Sequence, residues 1–67
     1  MLSILLNGAS RVFNDQATVA DLVRDLALEG KRIAVERNGE IVPKSRHAET
    51  RLAPGDRIEV VRAVGGG

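Results

Sequence analysis

Leu2, Ile4 and Leu6 recur at every second position, and the run ends at Asn7-Gly8. A period of two is that of a half-buried strand, and Asn-Gly tolerates positive φ at both of its positions, so a hairpin with a return strand over about 9–13 is predicted. The period then changes. Val19, Leu22, Val23 and Leu26 fall at i, i+3, i+4 and i+7, one apolar face of a helix. Thr18 followed by Asp21 resembles a capping box with Asp in place of Glu, and Gly30 stands where a left-handed C-terminal residue belongs, so the helix is read from Val19 to Glu29.

Beyond "GKR", Ile33 and Val35 precede Asn38-Gly39, and Ile41 and Val42 precede Pro43, which predicts a second hairpin with a short outer arm ended by a proline that cannot donate to a ladder. Residues 44–52 read as a polar loop with one turn of helix, and Pro54-Gly55-Asp56 as a turn. The last strand is read from Arg57 to Val64, with Ile58, Val60, Val61 and Val64 making it apolar on more than one face, as in a central strand. The order β-β-α-β-β-β, with the most hydrophobic strands first and last, is satisfied by an α+β fold. It has a mixed four- to five-stranded sheet, those two strands paired at its centre, and one helix across one face. This arrangement resembles the β-grasp, or ubiquitin-like, fold. The expected division is a domain over 1–64 and a flexible glycine tail over 65–67.

Sixty-seven residues make one domain with a small core. Ten Lys and Arg against nine Asp and Glu leave a net charge of +1, with the signs alternating along the chain, and Phe13 is the one aromatic. Neither a nucleic-acid footprint nor a stacking platform for single strands is expected. Cys is absent, which excludes disulfides and thiol chemistry by these residues. No apolar run approaches the length of a membrane span, and Met1 leads into "LSILL" without a basic segment, so no membrane association is expected and the expected location is cytoplasmic. A free monomer is expected.

The usual catalytic constellations are missing. His47 with Ser45 two residues before it reads as a solvated loop histidine, since i and i+2 in a loop do not converge without a scaffold. One His and scattered carboxylates do not make a metal site. Asp21, Asp25 and Glu29, with Arg24 and Arg32 near by, read as a solvated helix face. No phosphate-cradling glycine motif is present, and the two Asn-Gly pairs are turn chemistry.

There remain Gly65, Gly66 and Gly67. Against an average glycine usage of about 7%, such a run is not coincidence. A flexible end or a cloning remnant is the plain alternative, although "VVRAV" runs into Gly65 without the Ser, tag or protease site a remnant brings. Glycines can be drawn extended through a slot too narrow for a Cβ, and three of them reach roughly 10 Å past a strand. The carboxylate of Gly67 could then enter another protein's active site. As an ionised carboxylate it is a poor electrophile and needs activation, for which this chain has no nucleotide site.

"IAVERNGEIVP" and "PGDRIEVVRAVGGG" resemble the ThiS family of sulfur carriers of thiamin biosynthesis, and the likeness in length, element order and terminal glycines runs through the chain. Val35-Glu36-Arg37-Asn38 and the Val-Gly-Gly-Gly end carry it. The resemblance implies that the Gly67 carboxylate is adenylated by a ThiF-type enzyme using ATP. It then becomes a thiocarboxylate with persulfide sulfur from a cysteine desulfurase, and donates that sulfur to thiazole synthase, ThiG. The chain would be carrier rather than enzyme and would bind no cofactor itself. The family's Gly-Gly end maps onto Gly66 and Gly67, and Gly65 matches members with a third glycine. A MoaD-like carrier for molybdopterin shares the fold and the glycines but tends to be longer and richer in aromatics, and an interaction module with an inert tail is the alternative outside the carriers. Arg57, Glu59 and Arg62 on the last strand are the expected partner contacts.

Overall fold

Asn7 and Gly8 take φ values of 50° and 85°, and Asn38 and Gly39 take 51° and 87°. Both pairs therefore make two-residue turns with successive positive φ, whose twist matches that of the strands they join. The first joins β1, Leu2–Leu6, to β2, Ala9–Phe13, and the second joins β3, Ile33–Arg37, to β4, Glu40–Val42. In this computed structural model, which describes residues 1–62, the remaining elements are the helix α1, Val19–Asp25, a 3-10 helix, Lys44–Glu49, and β5, Arg57–Arg62. The predicted end of the last strand at Val64, the domain boundary after it, and the glycine tail lie outside the described residues.

The five strands form one mixed sheet in the order β2-β1-β5-β3-β4. β1 and β5 run parallel and all other neighbours antiparallel, so the first and last strands do pair, as their hydrophobicity predicts. One face is covered. Leu2, Ile4 and Leu6 from β1, Val35 from β3 and Ile58 from β5 are buried against Val19, Leu22 and Val23 of α1, with Ala17 and Leu52 completing the cluster. The opposite face is open, and here the structure corrects the reading of the last strand: Val61 is 61% exposed because a single helix leaves the second face of β5 uncovered.

The helix starts where predicted. Thr18 Oγ1 accepts from the Asp21 N–H at 3.2 Å and Asp21 Oδ2 accepts from the Thr18 N–H at 2.9 Å, a complete capping box. It ends earlier than Glu29. Leu26 is the cap residue, Ala27 follows at φ 58°, the Ala27 N–H donates to the Arg24 carbonyl at 2.9 Å and the Leu28 N–H to the Val23 carbonyl at 3.1 Å. This is a Schellman ending with alanine in the left-handed position that glycine usually holds, and Gly30 serves a later turn instead. Leu28 then packs back on the core beyond the last helical turn. Since a Cβ at positive φ costs about 1–2 kcal/mol and the extra freedom of glycine in the unfolded chain takes back about 0.5–1 kcal/mol, Ala27→Gly is expected to stabilise the fold by about 0.5–1 kcal/mol. A higher urea midpoint at unchanged slope is the expected readout; a lower midpoint would show that Ala27 is not strained.

Candidate functional site

β5 is the element from which the glycine run continues, and it is held from both sides. On the β3 side it pairs along its length, from Arg37↔Ile58 to Ile33↔Arg62. On the β1 side the ladder covers Leu5↔Arg57 and Leu6↔Ile58 and stops there, because β1 turns away at Asn7. The Asn7 side chain takes over: its Oδ1 accepts from the Val60 N–H at 2.9 Å, and its Nδ2 reaches the Val60 carbonyl at 3.4 Å. An amide can offer both a donor and an acceptor to one strand residue, which Asp cannot.

The second Asn-Gly pair grips the start of the same strand. Asn38 Oδ1 accepts from the Arg57 N–H at 2.9 Å, the Asn38 N–H donates to the Arg57 carbonyl at 2.8 Å, and Asn38 Nδ2 donates to Asp56 Oδ1 at 3.1 Å. Asp56 is 5% exposed and is the one buried charged residue among those described. Its Oδ2 also accepts from Arg37 Nε at 2.9 Å and from the Ala53 N–H at 2.8 Å. Sequence reading missed this cluster because each member lies in an ordinary turn motif; the signal was the pairing of two Asn-Gly turns with a Pro-Gly-Asp turn.

Burial by itself pushes the Asp56 carboxyl up, but the Ala53 N–H, the Asn38 amide and the Arg37 guanidinium together hold it below the ordinary aspartate value of 3.8. Every group facing this carboxylate is a donor, so the amide of Asp56→Asn must turn an N–H toward another N–H. A cost of about 2–3 kcal/mol is expected at neutral pH. Because the folded pKa is the lower one, the carboxylate's contribution is complete above the unfolded value and is lost as pH falls through the folded value. Urea unfolding of the two proteins should therefore differ at pH 7 and converge in acid. A difference that persists below the folded pKa would assign the loss to packing and not to the charge.

The predicted contacts separate by strand parity. Arg57 and Glu59 alternate with buried Ile58 and share the open face with Val61, whereas Arg62 has the parity of Ile58 and Val60 and sits at the end of the other face. Across the ladders Arg57 stands opposite Leu5, Glu59 opposite Glu36 and Val61 opposite Ala34, with Ile41 next to Glu36. Leu5 is 43% and Ile41 60% exposed, so this face mixes apolar side chains with charge.

The other candidates are structural. His47 Nε2 donates to the Val42 carbonyl at 3.0 Å, tying the 3-10 helix to β4, and its ring is half-buried rather than fully solvated as predicted. The acidic stripe is engaged in surface pairs, Arg24 with Asp21 at 3.1 Å and with Glu29 at 3.4 Å, and Arg11 with Asp25 at 2.9 Å. Arg32 makes no such pair among the described residues. Asp21 is held below the ordinary aspartate value, chiefly by the Thr18 N–H. Among the described residues no cluster of His, Asp and Glu could hold a metal ion, and no helix is long and apolar enough to cross a membrane.

Residues 4–67 match the ThiS family, a span that includes the three glycines. The chain is 47% identical over 53 residues to the sulfur carrier protein ThiS of Bacillus subtilis, covering 79% of this chain and 80% of that one. It is 41% identical over 66 residues to a thiazole synthase of Paramagnetospirillum magneticum, which covers 98% of this chain but 20% of that protein, so the chain spans a fifth of that relative's length. The crystal structure of a thiamine biosynthesis protein (ThiS) from Geobacter metallireducens superposes with a TM-score of 0.83 at 25% identity, over 98% of this chain and 100% of the other. The observed sheet and helix therefore have the β-grasp architecture expected from the element order.

Proposed function

The chain belongs to the ThiS family, and from that premise we propose that it carries sulfur for the thiazole ring of thiamin on the carboxylate of Gly67. The observation that carries the reading is the glycine run itself, within the family match and downstream of β5, the strand held by Asn7 and Asn38.

The chemistry follows from the weakness of a carboxylate as an electrophile. A ThiF-type adenylating enzyme joins the Gly67 carboxylate to AMP from ATP, releasing pyrophosphate. The terminal sulfur of a persulfide supplied by a cysteine desulfurase attacks the acyl carbon and expels AMP. A thiol then cleaves the resulting acyl disulfide, leaving a thiocarboxylate at Gly67. Thiazole synthase, ThiG, takes the sulfur and the carboxylate returns. In this scheme the chain is a co-substrate and contributes no catalytic side chain. Gly65 and Gly66 pass through the partner's channel. The open face around Arg57, Glu59 and Val61 rests on the partner, with Arg62 at the mouth. Threading of the glycines and docking of the open face both need β5 held in place, as it is by the hydrogen bonds of Asn7, Asn38 and Asp56.

Intact-mass measurement after incubation with ATP, a ThiF-type enzyme and a persulfide source tests the proposal. Replacement of one oxygen by sulfur, located at Gly67 by fragmentation, is expected. An unchanged mass would leave an interaction module with an inert tail.

A further inference from the structure

The signs of charge alternate along the sequence but separate in space. β3 runs antiparallel to both β4 and β5, so its start lies at the same end of the sheet as their ends, with Arg62 opposite Ile33 and Val42 opposite Val35. Lys31 and Arg32 precede β3, Lys44 follows β4, and Arg62 ends the described part of β5. All four are exposed, and among the described residues none enters an ion pair, whereas Arg11, Arg24, Arg37 and Arg46 each do; of the other two exposed cations without an ion pair, Arg57 stands at the opposite end of β5 and Arg51 hydrogen-bonds Gln16. Lys31 and Lys44 border a groove of about 310 Å³ floored by Val23, Leu28 and Ile33. Both also border a second hollow that adds Arg32 and Val61 on the far side of the strand. Glu29, the acidic neighbour, is taken by Arg24 at 3.4 Å. The acids without an ion pair among the described residues lie elsewhere: Glu36 and Glu59 face each other on the open face, and Glu40 starts β4 beside the Asn38-Gly39 turn.

Four neighbouring cations without counter-charges among the described residues add little to the stability of this fold, since like charges repel and exposed ones gain little from packing. Their place has a different consequence. Residues 63–67 continue from Arg62, and five residues reach at most about 17 Å when fully extended. Any protein that buries the terminal carboxylate must bring its surface within that distance of Arg62, at the end of the sheet where the other three cations lie. We propose that Lys31, Arg32, Lys44 and Arg62 form a basic collar that docks on an acidic rim around the channel by which a partner protein receives the glycine run, and that the collar sets the rate of that encounter. The inference rests on the carrier reading and adds the chemistry of the partner's rim. Rim charges of this kind act mainly on association, raising it by about 10-fold or more at low salt and fading as the Debye length shrinks to roughly 8 Å at physiological ionic strength.

The test is stopped-flow association of the full chain with a purified ThiF-type adenylating enzyme across a salt series. Three proteins are compared: the unsubstituted chain, Lys31→Gln with Lys44→Gln, and Arg11→Glu, which removes the same net charge on the opposite edge strand. The lysine variant is expected to associate about 10-fold more slowly at low salt, with a flatter salt dependence, while dissociation changes less than about twofold. Arg11→Glu should leave both rates near those of the unsubstituted chain; the lysine variant should keep its melting temperature, whereas Arg11→Glu lowers it modestly because the pair with Asp25 is lost. Sulfur loading of the lysine variant at saturating enzyme should reach completion, which separates the collar from the carrier chemistry. Equal slowing by Arg11→Glu, or no slowing by the lysine variant, overturns the collar and leaves the carrier reading standing. Absence of association by the unsubstituted chain overturns both. Retention of a short DNA duplex at physiological salt, lost in the lysine variant while enzyme association is unchanged, would assign the cations to nucleic acid and overturn the proposal. Should the double variant fail to fold, Lys44→Gln alone is read against the same outcomes, with about a threefold slowing expected.

Discussion

Deleting Gly67 is expected to reduce sulfur loading at least about 100-fold while leaving the melting temperature within error. The deletion still ends the chain in a glycine carboxylate, so the chemical group is unchanged. What changes is reach, by roughly 3.5 Å. Adenylation needs the carboxylate oxygen in line with the α-phosphate held by the partner, and a misplacement of about 1 Å can already cost about 100-fold in rate. Gly66→Ala keeps the reach and adds one Cβ; a channel shaped for bare backbone should slow this variant too, with the carboxylate still able to arrive. The core is assembled from residues between Leu2 and Ile58, so neither change alters its packing. Intact-mass time courses beside thermal melts read both effects. Normal loading of the Gly67 deletion would sink the proposal that Gly67 is the sulfur-bearing end, and a large fall in melting temperature would make the glycines structural.

The two hairpins, the capped start of the helix and the central pairing of β1 with β5 were legible because each is dictated locally: period two, Asn-Gly at positive φ, Thr and Asp three apart, and two strongly apolar strands that must be buried. The C-terminus of α1 was not. Ala27 is a strong helix former by propensity, and Leu26 continues the apolar stripe, so nothing local marks the end. The chain leaves the helix there because Leu28 gains contact with the core only after a left-handed turn, a tertiary gain that outweighs the strain at Ala27.

The site divides in the same way. The glycine run is a sequence feature and needs no fold to be noticed. The clamp around β5 joins Asn7 to Val60 and Asn38 to Asp56, pairs far apart in the chain, and side chains already explained by their own turns give no hint of a second role. The collar was hidden for a related reason: the strand order gathers Lys31, Arg32, Lys44 and Arg62 at one end of the sheet from stretches in which Glu29, Glu36, Glu40 and Glu59 alternate with them.

Leu22→Ala is expected to cost about 2–5 kcal/mol and to leave the protein largely unfolded at 37 °C. Leu22 is fully buried, at 0% exposure, on the one helix that covers the sheet, alongside Val19 and against Ile4, Val35 and Ile58 in the same cluster. Truncation removes the methyl groups that fill the centre of a small core, and a seven-residue helix held by a capping box and a strained Schellman ending has little freedom to collapse into the cavity. Small domains of this size hold only about 3–5 kcal/mol in total, so a loss of that order consumes most of it. The glycine run is chemically untouched in this variant. If the carrier works by presenting its tail from a rigid strand, loading should fall with the folded fraction and recover on cooling or in stabilising sulfate. Circular dichroism melts beside loading assays at several temperatures test the link. Loading that stays normal when the far-UV signal shows an unfolded chain would mean that the partner reads the tail alone, and that the clamp on β5 has no part in delivery.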